Sequence, residues 1–137
     1  MYQLKKASTA YHTVSQQSIA VGSSPHGLIA MLFKEVTSFL NTWDYHRSNR
    51  DIAGKVECVN KAIQILLGLK ECLDTDAGGS LAETLSELYD YCIRIIIRAN
   101  AQNDEQRMRE VLFIISELNL AWETIPPSYH NFRSVKS

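Results

Sequence analysis

The property that most constrains the fold is a helical repeat of apolar residues in four separate stretches of the chain. In each stretch, apolar side chains return every three or four positions, which places them along one side of an α-helix. No stretch of useful length shows the strict alternation of a half-buried strand. The sequence therefore predicts four helices, at residues 24–46, 51–73, 81–102 and 104–125.

Residues that begin or end helices separate these stretches. Pro25 suits the first turn of a helix, and Asp51 suits the capping position before one, as do Asn103 and Asp104. Gly79 closes a turn between the second and third helices. Three opposite-charge pairs at a spacing of four residues favour the same helices: Glu57–Lys61, Asp90–Arg94 and Glu105–Arg109.

Long helices joined by short connections indicate an all-α fold, an antiparallel up-and-down four-helix bundle. A chain of 137 residues is long enough to bury one core without disulfides or a metal, so we expect a single domain over residues 1–137. Residues 1–23 are predicted to be a flexible N-terminal arm, and residues 126–137 a polar tail.

Charge and hydropathy exclude several classes of protein. The chain has 14 Lys and Arg against 15 Asp and Glu and contains no long basic stretch, which argues against a nucleic-acid surface. No apolar run reaches the length of a secretory signal or of a membrane span. We therefore expect a cytoplasmic protein with no stable membrane insertion. The three cysteines have no ligand-like spacing and are predicted to be reduced.

Motifs that carry catalysis or bind cofactors are missing from the sequence. No glutamate has a histidine three residues later, as di-iron bundles require, and no Cys-x-x-Cys-His haem motif occurs. Gly78-Gly79-Ser80 lacks the lysine of a phosphate-binding loop. Phosphotransfer through His26 would need an orienting partner that the sequence does not supply. We expect no enzyme activity, no metal and no cofactor.

The apolar faces of the last three helices are wider than one buried side requires. At 100° per residue, the apolar arc spans roughly 140° on the first helix but roughly 220° on the second and roughly 200° on the third. A surface helix needs an arc of only about 100° or somewhat more. The extra rows can serve the core, a dimer interface, the chain's own arm or a partner. The partner hypothesis selects Ala62, Ile65, Leu69, Tyr89, Ile93, Ile97, Ile114, Leu118 and Ala121.

Several short strings, in order along nearly the whole chain, carry a family resemblance. They are Ser23-Ser24-Pro25-His26, Lys61-Ala62-Ile63, Gly78-Gly79, Leu85-Ser86-Glu87-Leu88-Tyr89-Asp90-Tyr91, Ala99-Asn100, Asn103-Asp104 and Ala121-Trp122. In these strings the chain resembles the FliS family of flagellin export chaperones. It departs from the family pattern at Lys34-Glu35-Val36, where Asp-Gly-Ala is usual.

The resemblance implies a specific function. Members of this family bind the disordered C-terminal segment of flagellin, which prevents premature polymerisation, and deliver the complex to the flagellar type III export apparatus. The resemblance also implies that the arm, through residues such as Tyr11 and Val14, covers part of the same groove. The alternative from the residues alone is a homodimeric helical regulatory or structural protein that does not bind flagellin.

Overall fold

The computed structural model describes residues 25–73 and 75–124, and within them all regular structure is helical. The four helices are α1 (Pro25–Ser48), α2 (Ile52–Glu71), α3 (Thr75–Gln102) and α4 (Glu105–Thr124). α1 packs against α2 and α4, and α3 packs against the same two helices, so the four form a closed ring. Consecutive helices joined by short loops in this ring confirm the predicted antiparallel up-and-down bundle.

Two aspartates cap helices as the sequence predicted. Asp51 has extended backbone geometry (φ −90°, ψ 91°), and its carboxylate accepts a hydrogen bond of 3.0 Å from the Gly54 backbone N–H. The Asp104 carboxylate accepts a bond of 3.1 Å from the backbone N–H of Arg107. Each bond satisfies a backbone donor that has no partner within its own helix, which defines where α2 and α4 begin.

α3 begins earlier than the predicted residue 81 and contains a break. Residues 75–78 are already helical, and Gly79 then adopts φ 55° and ψ −132° before the main helix continues. This conformation is strained for any residue with a Cβ, although no atom lies within 4 Å of where that Cβ would stand. The glycine therefore serves a change of backbone direction and not a close approach.

The buried face of α2 differs from the one that its apolar pattern suggested. Ile52 and Val56 belong to the stripe that looked most regular, yet they are 72% and 43% exposed. Val59 and Leu66 of the same stripe are buried in the hydrophobic core, and so are the members of a second row: Cys58, Ala62, Ile65 and Leu69. The helix is rotated so that the second row, together with Val59 and Leu66, faces the bundle interior.

A polar network at one end of the bundle ties α1, α2 and α3 together. The Trp43 indole N–H donates to Asn100 Oδ1 at 2.9 Å, and the Lys55 ammonium donates to the Asn100 carbonyl oxygen at 3.4 Å and to Asn103. Lys55 is only 8% exposed and lies 5.8 Å from the centre of the Trp43 ring. A buried ammonium needs such partners because burial without them is costly. Arg47 extends the network to α4 through Glu105, at 3.2 Å.

Candidate partner-binding seams

The first candidate surface runs along the outer boundary between α2 and α3. We call it the α2/α3 seam, and its apolar residues are Ile52, Val56, Ile63 and Leu67 on α2 with Ile93 and Ile97 on α3. Ile52, Val56 and Ile97 are exposed, Ile97 at 52%, and the other three are half-buried. Ile63 and Ile93 also pack against the core, so they form an apolar floor below the more exposed side chains of the seam.

An ion pair fixes the register of this seam. The Lys70 ammonium lies 2.9 Å from the Asp90 carboxylate, which joins α2 to α3. Because the helices are antiparallel, moving one turn away from this pair brings Leu67 beside Ile93, and a second turn brings Ile63 beside Ile97. The charged pair therefore closes one end of the seam. The apolar residues continue from it towards the α3–α4 loop.

A second seam runs between α3 and α4. We call it the α3/α4 seam, and its apolar residues are Leu81 and Leu88 on α3 with Ile114, Leu118 and Ala121 on α4. Leu81 and Ala121 are exposed, and the other three are half-buried. Ile114 and Leu118 pack against the core from the outside, as Ile63 and Ile93 do in the first seam.

A hydrogen-bonded cluster closes the α3/α4 seam at one end. The Tyr91 hydroxyl donates to the Glu110 carboxylate, and Arg107 donates to the same carboxylate at 3.1 Å. The bond from Tyr91, with the Arg107 guanidinium as a second cause, holds the pKa of Glu110 below its usual value. The same bond raises the pKa of Tyr91. From this pair, the antiparallel register brings Leu88 opposite Ile114.

The nine residues selected from the sequence divide into three groups. Ile93 and Ile97 lie in the α2/α3 seam, and Ile114, Leu118 and Ala121 lie in the α3/α4 seam. The other four are buried members of the hydrophobic core: Ala62, Ile65, Leu69 and Tyr89. A partner can touch these four only if the bundle opens, so partner contact through them stays a prediction. Tyr11 and Val14 of the arm lie outside the described residues.

Burial shifts the pKa values of two core residues that lie below the seams, Cys92 and Tyr89. It raises the pKa of the Cys92 thiol to about 12 and is the main reason that the pKa of Tyr89 lies well above its usual value. Both groups are therefore neutral at physiological pH. They behave as apolar core side chains, in keeping with the reduced cysteines that the sequence predicted.

Sequence reasoning missed three exposed residues of the seams, although it selected the exposed Ile97 and Ala121. Ile52, Val56 and Leu81 looked like core because they continue regular apolar stripes. Each lies in the first turns of its helix, where a regular apolar stripe can run beyond the part of the bundle that covers it. Position relative to the helix ends was the one signal in the sequence that pointed to exposure.

The outward face of α1 is different in chemistry. The side chains along it are mostly polar: Lys34, Ser38, Asn41 and Thr42, with Tyr45 at the end. Tyr45 is the one large apolar side chain of α1 that is exposed among the described residues. This contrast agrees with the narrow apolar arc of the first helix and leaves the apolar seams on the α2–α3–α4 side of the bundle.

Residues 25–73 and 75–124 contain no helix that is long and apolar enough to cross a membrane. Within the same ranges, no three His, Cys, Asp or Glu side chains come together in a way that suits a metal ion.

A helical bundle with two partly open apolar seams has the geometry of a scaffold that binds apolar segments of another chain. Comparison with known proteins identifies the class. Residues 7–129 match the family model described as flagellar protein FliS. The chain is 43% identical to the flagellar secretion chaperone FliS of Salmonella typhimurium, over 86% of this chain and 88% of that protein.

Two further relatives carry similar names. The flagellar secretion chaperone FliS of Vibrio cholerae is 35% identical over 93% of both chains. The flagellar secretion chaperone FliSB of Pseudomonas aeruginosa is 34% identical over 91% of this chain and 98% of its own length. The chain belongs to the FliS family of flagellar secretion chaperones.

Proposed function

We propose that this protein is a cytoplasmic, non-enzymatic chaperone that binds the disordered C-terminal segment of flagellin. Binding prevents premature polymerisation and keeps flagellin ready for type III flagellar export. The observation that carries this proposal is the pair of apolar seams in a chain of the FliS family. A long disordered segment is the kind of ligand that can occupy both seams at once.

In this proposal the cargo lies along the seams as short amphipathic helices. Each seam presents apolar residues over about two turns or more, which suits a ligand helix with anchors at positions i, i+3 or i+4, and i+7. Ile97 and Leu81 are exposed contacts, whereas Ile93 and Ile114 form the floor. The four buried residues selected from the sequence would support that floor from the inside.

The energetics allow binding of moderate strength. Covering one seam would remove about 500 Å² of apolar surface from water, worth on the order of 12 kcal/mol at 25 cal/mol/Å². Much of this free energy is offset by the ordering of a flexible ligand. The remainder suits a chaperone, because a cargo destined for export must also be released.

Calorimetry tests the proposal directly. The full chain is titrated with a synthetic C-terminal flagellin segment at several temperatures. We expect binding with a large negative heat-capacity change, because apolar surface is buried and the ligand folds. A flagellin segment from the central part of that protein, of equal length, is the control. Absence of binding at tens of micromolar would rule the proposal out.

The N-terminal arm has a role in the same proposal, which rests on the family resemblance. If Tyr11 and Val14 compete with flagellin for a seam, deletion of residues 1–15 removes the competitor and tightens flagellin binding. The matched control keeps the arm and replaces only Tyr11 and Val14 by serine, and it should reproduce most of the effect. Equal affinities for the intact and the deleted chain would contradict competition by the arm.

A further inference from the structure

Three exposed arginines, Arg50, Arg94 and Arg98, have no carboxylate partner within residues 25–73 and 75–124. Arg50 lies in the α1–α2 loop and the other two lie in the C-terminal half of α3, towards the same end of the bundle. Lys55 donates to oxygen atoms of the polar network. The remaining cations of these ranges are each paired with a carboxylate: Lys34, Arg47, Lys61, Lys70, Arg107 and Arg109.

Two of these arginines border the apolar part of the α2/α3 seam. Arg94 and Arg98 each directly follow a seam isoleucine in the sequence, so they lie about 100° further round α3, on the solvent side. They are four residues apart and therefore neighbours on the helix surface. Asp90, which has the spacing to pair with Arg94, is bound to Lys70 of α2 instead. Both guanidinium groups are thus available to a ligand that lies in the seam.

The charge along the α2/α3 seam changes sign. At about the level of the two arginines, the outward residues of α2 are Asn60 and Gln64, which carry no charge. Past the ion pair that closes the seam, the exposed groups that have no partner among the described residues are carboxylates: Glu71 at the end of α2 and Glu87 on α3. The part of the seam nearest the α3–α4 loop is therefore positive, and the opposite end is negative.

The two terminal segments of the chain do not have the composition to neutralise these arginines. Residues 1–24 and 125–137 contain no aspartate or glutamate. They add cations instead: Lys5, Lys6, Arg133 and Lys136. Because like charges oppose association, neither segment complements the positive part of the seam. A carboxylate that pairs there must come from a partner protein.

We infer that the α2/α3 seam takes an amphipathic helical segment of a partner protein that carries carboxylates beside its apolar stripe. The stripe covers the seam isoleucines, and two carboxylates one turn apart pair with Arg94 and Arg98. The inference rests on the proposed function, since the occupant of the seam is the same, and it adds the charge that this occupant must carry. In the α3/α4 seam, Arg107 is already paired with Glu110, so the requirement is specific to the α2/α3 seam.

Fluorescence anisotropy of the full chain with synthetic amphipathic peptides tests the inference. The peptides have equal length and share one stripe of leucines at positions i, i+4, i+7 and i+11, and the positions beside the stripe are all glutamate, all glutamine or all lysine. An exposed ion pair changes affinity by a factor of about 1.4–5, so two pairs should make the glutamate peptide bind about fivefold more tightly than the glutamine peptide. The lysine peptide should bind most weakly, and high salt should reduce these differences.

Double variants locate the effect on the surface. Arg94→Gln combined with Arg98→Gln should make the glutamate and glutamine peptides bind equally. Arg94→Glu combined with Arg98→Glu should invert the order, so that the lysine peptide binds most tightly. Lys34→Gln combined with Arg109→Gln removes the same charge away from the seam and should keep the wild-type order. Circular dichroism should show unchanged helicity in all of them, because the four positions are exposed.

Equal binding of the three peptides, or binding of none, overturns the inference. So does a preference for glutamate that persists when both arginines are replaced by glutamine. A wild type that prefers the lysine peptide also overturns it and assigns the seam to a basic segment such as residues 1–24.

The C-terminal flagellin segment, titrated in parallel, separates this inference from the proposed function. If flagellin binds while the three peptides bind equally, the proposed function stands and the charge requirement fails. If the peptides follow the expected order while flagellin does not bind, the charge requirement stands and the proposed cargo is wrong.

Discussion

Ile96 and Ile97 are neighbours in α3, yet the structure gives them opposite roles. Ile96 is completely buried, whereas Ile97 is 52% exposed in the α2/α3 seam. Replacing Ile97 by aspartate introduces a charge on a surface from which the proposed cargo would exclude water. The substitution leaves the core unchanged. We therefore expect Ile97→Asp to weaken flagellin binding without unfolding the bundle.

The size of the effect follows from the exposed half of the side chain. Full burial of an isoleucine contributes about 1.5–3 kcal/mol, so covering the remaining half of Ile97 is worth about 1 kcal/mol. The aspartate adds the desolvation of a polar group, about 1 kcal/mol or more. Together these terms give about 2 kcal/mol, which corresponds to binding weakened about thirtyfold. The free energy of unfolding should change by only about 0.5 kcal/mol, as for other surface substitutions.

The assay combines calorimetric titration with thermal melting followed by circular dichroism. Ser38→Asp, on the exposed face of α1, introduces the same charge away from both seams and should bind flagellin like the wild type. Ile96→Ala provides the opposite control, because truncation of a buried isoleucine costs about 2–5 kcal/mol of stability. Wild-type affinity in folded Ile97→Asp would refute the assignment of this seam. Loss of helicity in Ile97→Asp would instead place the residue in the core.

Two further predictions concern the stability of the bundle. A Cβ at Gly54 would stand 2.6 Å from His46 Cγ, so Gly54→Ala should lower the free energy of unfolding by about 1–3 kcal/mol in urea denaturation. The substitution should cost less in a His46→Ala background than in the wild type, and an equal cost in both backgrounds would contradict the clash with His46. Glu110 has a lowered pKa in the folded chain, so the hydrogen bond that it accepts from Tyr91 stabilises the fold at pH values above the ordinary glutamate pKa of about 4.3. This stabilisation is lost as the pH falls through the lower pKa that Glu110 has in the folded state. The stability difference between wild type and Tyr91→Phe should therefore be constant near neutral pH and shrink towards zero in acid melts, and a difference independent of pH would exclude this role.

Local signals in the sequence were sufficient for the secondary structure and the fold class. Asp51 and Asp104 cap helices because a short carboxylate can satisfy backbone donors within its own turn, whatever the rest of the chain does. Gly79 stands at a change of backbone direction for a reason that is equally local. Short loops then restrict long helices to antiparallel neighbours, so the bundle follows from the same local information.

Contacts between helices could not be predicted from such local signals in the sequence. Asp90 has Arg94 four residues later, at the spacing of a helical ion pair, but in the folded chain it binds Lys70 of α2. Tyr91 likewise finds its partner, Glu110, on another helix. Such pairs depend on how each helix is rotated and displaced against its neighbours, and the sequence of a single helix does not contain that information.

The sequence by itself determined that α2, α3 and α4 carry more apolar surface than one buried side needs. Only the tertiary structure decided which rows are covered. On α2 both rows are apolar, so either can face the core at similar cost, and packing against α1 and α3 buries Ala62 and Ile65 while Ile52 stays exposed. The width of an apolar face is a property of one helix, whereas its exposed part is set by the neighbours that cover the rest.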